Sequence, residues 1–156
     1  MSFYKILFYS HSGFRYIVLG LLAVVLITSL VGWLGKKFYS KTDDKLSLFL
    51  FISVHLMATL GTVLYFVSPS VVFASTMFKN PTQRYWTVEH ITANLLAVVF
   101  ITLARTTSKR MTGTDLSELG LRKHRRMFLL TAIGVVILVV SLTSHPGGSI
   151  LMQSSH

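Results

Sequence analysis

The stretch Arg15-Tyr-Ile-Val-Leu-Gly-Leu-Leu-Ala-Val-Val-Leu-Ile-Thr-Ser-Leu-Val-Gly-Trp-Leu34 carries its only charge at its first position. About 20 such residues, wound as a helix, match the thickness of a bilayer's hydrocarbon core. Three further stretches repeat the pattern, at about 46–67, 86–105 and 127–142. The intervening segments hold most of the charge, and that separation is how membrane chains distribute ionisable groups. The 156 residues are 52% hydrophobic and only 13% charged. The sequence therefore predicts an all-α transmembrane four-helix bundle forming a single membrane domain over 1–156.

The boundaries follow from local chemistry. Phe3 to Phe14 reads as an amphipathic lead-in to a retained first helix, because no small-residue cleavage site follows it. Asp43 and Asp44 suit the N-terminus of the second helix, and Ser68-Pro69 stops it. Between the second and third spans, Val71-Val72-Phe73 and Met77-Phe78 suit a short interfacial helix or a loop. Thr106 to Arg126 reads as a basic loop in which Asp115 and Glu118 open a short surface helix. Ser144 to Gly148 ends the last span through Pro146 and two glycines, with a tail beyond that includes His156.

Orientation follows from lysine and arginine, which are retained on the cytoplasmic side. Lys36, Lys37, Lys41, Lys45, Arg105, Lys109, Arg110, Arg122, Lys123, Arg125 and Arg126 fall on one side; Lys5, Arg15, Lys79 and Arg84 fall on the other. Both chain ends are thus expected outside, an N-out/C-out layout. The net charge of +10 is accounted for by this topology, and no nucleic-acid partner is expected. With no cysteine, thiolate metal sites, thiol nucleophiles and covalent haem attachment are excluded. Phosphate-loop glycines, a carboxylate pair within a span and a nucleophile elbow are also missing from the sequence.

Ionisable groups at membrane depth are costly and mark function; here they are mostly histidines. At 1.5 Å of rise per residue, His55 stands about 16 Å above Asp44 and His90 about 22 Å above Arg105. His145 and His11 come out at about 28 and 33 Å, near the outer boundary. A bundle with one such histidine per helix can hold a cofactor between its helices. Two facing imidazoles can ligate a haem b, which makes His55 and His90 the metal-ligand candidates. Ala58, Thr59 and Thr62 beside His55, and Ala93, Asn94 and Ala97 beside His90, are small enough for a flat macrocycle. Arg15 and Arg84 are candidate partners for its carboxylates. Glu89 has two expected uses, pairing with either arginine or accepting a proton from an imidazole. The same small residues also suit plain helix packing. His11 and His145 have a boundary reading besides a second haem or a quinone contact. His124 reads as part of a basic anchor against anionic lipid.

His11-Ser-Gly-Phe-Arg15, Gly32-Trp-Leu-Gly35, Asp44-Lys-Leu-Ser-Leu48, Leu64-Tyr-Phe-Val-Ser-Pro69 and Glu89-His-Ile-Thr-Ala93 resemble short bacterial four-helix integral membrane proteins commonly labelled "cytochrome b". The resemblance covers most of the chain and implies a multi-pass protein of the bacterial cytoplasmic (inner) membrane, with haem b ligands at His55, His90 and His11. Ser144-His-Pro-Gly-Gly148 departs from the pattern. The expected function is a haem-b-binding electron-transfer subunit of a larger respiratory membrane complex rather than a stand-alone enzyme. The alternative is a cofactor-free accessory subunit whose polar residues lock helices together. A proton path through Glu89, His90 and His55 is the third option.

Overall fold

The computed structural model describes residues 2–146, and among them the regular structure is helical, with no strand. Helix α1 covers Phe3–Leu34, α2 Lys41–Val67, α3 Pro81–Arg110 and α4 Leu116–Thr143. All four are long and apolar enough to cross a membrane. Each neighbours the next in sequence, and α4 closes back onto α1, giving a four-helix bundle.

Each helix is longer than the apolar stretch inside it, because its polar ends are capped. In α1, Phe3 to Phe14 is continuous helix rather than a separate lead-in, opened by Ser2 Oγ accepting from Lys5 N. Helix α2 starts with a capping box: Asp43 N donates to Ser40 Oγ, and Ser40 N donates to Asp43 Oδ2 at 2.8 Å. Asp115 Oδ1 accepts from Ser117 N and Glu118 N at 2.8 and 3.1 Å. The turn it caps runs unbroken into α4, which corrects the expectation of a separate surface helix. The α2–α3 connection forms a 3₁₀ turn over Ser75–Lys79, and Asn80 then caps Pro81 at the start of α3. Gly147-Gly148 and the tail with His156 lie outside the described residues.

The buried seams run at alternating spacings of three and four residues: Val18, Leu22, Val25, Ser29 and Gly32 on α1, and Gly120, His124, Met127, Thr131 and Gly134 on α4. Such alternation keeps one seam of each helix facing its neighbours. Small and polar residues fill much of the interior while Ile17, Val24, Ile27, Leu96, Val99, Val136 and Val139 point outward. That inversion suits lipid, where close backbone approach replaces a hydrophobic driving force. At Gly134 a Cβ would stand 3.3 Å from Ala97 O, the mark of a tight α3–α4 contact. At the end of the bundle holding the basic loops, Arg105 is buried and donates to Asp44 O at 2.9 Å, Asp44 Oδ1 at 3.2 Å and Ser47 Oγ. This clasp ties α2 to α3.

The same end buries His124, which is 1% exposed. Its ring lies directly over Gly32 and 5.0 Å from the Tyr39 ring, with Nε2 3.5 Å from Phe38 O. The α1–α2 connection packs on Gly120, where a Cβ would come within 2.7 Å of Lys37 O. His124 therefore locks α4 against α1 and its loop, in place of the lipid-facing anchor expected of a basic run.

Candidate functional site

At the opposite end of the bundle the helices part around a cavity of about 360 Å³, within the range of small-molecule sites, roughly 300–1,000 Å³. The gap has a sequence cause. Helix α2 turns Ala58, Gly61 and Thr62 toward it, and α3 turns Asn94 and Ala97. Large rings, among them Tyr4, Phe8 and Trp86, also line it. Most of its wall is apolar, with His11, Arg15 and His90 among the polar exceptions.

His11 comes from α1 and packs over Gly61, where a Cβ would lie 3.0 Å from its Cε1. Any side chain larger than hydrogen at position 61 would press on the imidazole. Among the described residues no hydrogen-bond partner reaches the buried His11 Nδ1 or the buried Arg15 Nε. Arg15 Nη2 donates to Tyr16 Oη at 3.2 Å, and its guanidinium lies 5.0 Å from the centre of that ring. His90, on α3, lines the same cavity as His11 and Arg15. Its Nδ1 is 3.3 Å from both Tyr85 Oη and Asn94 Nδ2. The His145 ring lies against Tyr85 and Trp86, with centroids 4.9 and 5.4 Å away.

The expected partnership of His55 with His90 is not formed. His55 Nδ1 donates back to Phe51 O at 2.7 Å, and Nε2 is 3.5 Å from Thr102 Oγ1 on α3. From position 90 to position 102 a helix rises about 18 Å, far beyond what two ligands of one iron can span. The reason lies in side-chain direction. Side chains lean toward the N-terminus of their own helix, so on antiparallel helices His55 leans toward the basic end and His90 away from it. Long Arg105 also spans a register offset, so Asp44 and Arg105 are not level markers. Thr59, expected beside the site, instead donates to His55 O at 2.9 Å. Arg84 is paired with Glu89 at 2.6 Å, and neither lines the cavity. The structure thus gathers His90, His11 and Arg15 and leaves His55 and Arg84 outside.

Tyr85 and Trp86 were not singled out by sequence reasoning. Tyr85 lies five positions from His90, a spacing that no helical face pattern highlights. Among the described residues no group of three or more histidine, aspartate or glutamate side chains is arranged to hold a metal ion. The chain matches no family model, no curated protein and no solved structure.

Proposed function

We propose that the chain is a haem-b-binding electron-transfer subunit of the bacterial cytoplasmic membrane, with its cofactor in the outer cavity and its site centred on His11 and His90. One observation carries the reading: imidazoles from α1 and α3 and the Arg15 guanidinium share the wall of one apolar cavity. Buried nitrogens on His11 and Arg15 there have no partner among the described residues. An unpaired buried polar atom is costly, and a bound group that engages it removes the cost.

The donor set fits a haem. His11 and His90 supply neutral imidazole nitrogens, and Arg15 supplies a cation for a carboxylate. Ala58 and Ala97 put small side chains on the cavity wall, Gly61 seats the His11 ring, and Tyr4, Phe8 and Trp86 add aromatic surface to the lining. A haem held by His11 and His90 would supply one-electron transfer. The same apolar, imidazole-bearing wall suits contact with a quinone as redox partner. Lysine and arginine asymmetry supports the N-out/C-out orientation and sets this cavity toward the outer face. The resemblance to short four-helix proteins labelled "cytochrome b" supports a place in a larger respiratory complex.

The accessory-subunit reading draws on the other polar groups. Arg105 joins α3 to Asp44 of α2, His55 of α2 lies 3.5 Å from Thr102 of α3, and His124 of α4 reaches Phe38 O in the α1–α2 connection. Haem content separates the two readings. The full chain, expressed with haem supply and purified in detergent, is expected to give a b-type band in its reduced-minus-oxidised spectrum. A spectrum without that band would remove the electron-transfer proposal.

A further inference from the structure

We propose that Tyr85 is a positioning residue that fixes the His90 imidazole with its proton on Nδ1, leaving the Nε2 lone pair for whatever the outer cavity binds. This role of Tyr85 goes beyond the haem reading and does not require it.

The backbone makes the contact. Residues five apart on an α-helix point about 140° away from each other. Between Tyr85 and Glu89, however, α3 widens into a π turn, with His90 N donating to Tyr85 O. A π turn closes over five residues, which brings Tyr85 and His90 onto one face. Their ring centroids are 5.6 Å apart. The turn is held from outside: Tyr65 Oη donates to Thr87 O at 2.9 Å, and Val72 N donates to Thr87 Oγ1 at 3.0 Å. Helix α2 and the α2–α3 connection thus both pin the irregular segment. Isolated π turns concentrate at functional positions.

Proton counting then gives the tautomer. Tyr85 is fully buried and has one hydroxyl proton, donated to Ser141 O on α4 at 2.8 Å. Its oxygen can meet His90 Nδ1 at 3.3 Å favourably only as an acceptor, so Nδ1 carries the proton. Asn94 Nδ2 is also 3.3 Å from Nδ1, and one of its two protons goes to His90 O at 2.6 Å. The second would need the Nδ1 lone pair, so the two neighbours compete for that nitrogen. We assign it to Tyr85, whose hydroxyl is oriented by Ser141 O. In a neutral imidazole protonated at Nδ1, Nε2 is the acceptor or metal-binding atom. Fixing the free nitrogen through a bond to the other one is how ligating histidines are commonly oriented. Through Ser141 the same hydroxyl links the imidazole to α4.

The test is the tautomer itself, read from nitrogen chemical shifts of histidine-labelled full-length protein in lipid nanodiscs without haem. Loss of signals in His90→Gln assigns the ring. The wild type is expected to show a protonated Nδ1 and an unprotonated Nε2, and Tyr85→Phe, which keeps the ring and loses the hydroxyl, is expected to shift the proton toward Nε2. A wild-type proton on Nε2 overturns the proposal with no variant needed. An unchanged tautomer in folded Tyr85→Phe overturns it too, as does a switch caused by Asn94→Ala alone. Hemin titration is a second readout: Tyr85→Phe should bind roughly 10- to 100-fold more weakly, the usual cost of removing such a partner. Equal affinity in wild type and variant counts against the proposal. A wild type that binds no hemin defeats the haem reading only, and the tautomer still decides the role of Tyr85.

Discussion

Gly32→Ala would place a methyl group where the His124 ring already lies. The new Cβ would stand 2.4 Å from Cε1 and 2.5 Å from each ring nitrogen, against ordinary contacts that begin near 3.4 Å. Ring or helix must therefore yield by about 1 Å. The ring is 1% exposed and flanked by the Tyr39 ring and Phe38 O, so any retreat must disturb these contacts. Overpacking of this kind costs about 1–3 kcal/mol, while replacing a helical glycine with alanine returns about 0.5–1 kcal/mol. The expected net loss is up to about 2.5 kcal/mol, and the difference from a glycine-to-alanine change in open space is about 1–3 kcal/mol, read from equilibrium unfolding in mixed detergent micelles. Gly20→Ala is the internal control. Nothing lies within 4 Å of its added Cβ, so it should be neutral or slightly stabilising. Combining Gly32→Ala with His124→Ala should cost less than the two changes added separately, with a coupling of about 0.5–3 kcal/mol. If Gly32→Ala matched Gly20→Ala in stability, the interlock of His124 with α1 would be refuted.

Further outcomes follow from the site and from the clasp at the other end. His90→Ala and His11→Ala should each abolish or strongly broaden the haem b band, whereas His55→Ala should retain it, as judged by difference spectra of the purified variants. Loss of the band in His55→Ala alone would restore the pairing that the structure separates. Arg105→Met should cost about 1–3 kcal/mol, since it removes charge-assisted bonds to Asp44 and Ser47. Asp44→Asn should cost less, because that carboxylate is half-exposed and the Asp44 carbonyl still receives the guanidinium. The chain has no native cysteine, so single cysteines can report orientation directly. A cysteine at Lys37 should react with an impermeant reagent only from the cytoplasmic side, and one at Asn80 only from outside. The reverse pattern would overturn the N-out/C-out layout.

Helix number was legible because the apolar stretches are long and the charges between them dense, a property of composition along the chain that needs no packing. Capping at Asp43 and Asp115 was equally readable, since a cap is made by residues within three or four positions. Alanine and asparagine at 58, 94 and 97 also announced a space between helices, and the structure puts the cavity there. His11, His90 and Arg15 could be named from their depth, yet not as one set, because no local pattern says that His11 of α1 packs on Gly61 of α2 and lines the same cavity as His90 of α3.

What the sequence by itself determined is the all-helical, four-span architecture and the supply of histidines toward one end. Length, hydropathy and capping act over a few turns of one helix, and that range is written in the order of residues. Only the tertiary structure decided which histidines are neighbours. The lean of side chains on antiparallel helices separated His55 from His90, the lack of a side chain at Gly32 let His124 be buried, and the π turn brought Tyr85 to His90. Each of these depends on sub-helical shifts of register between segments far apart in sequence, which the residue order constrains only through the packing of the whole bundle.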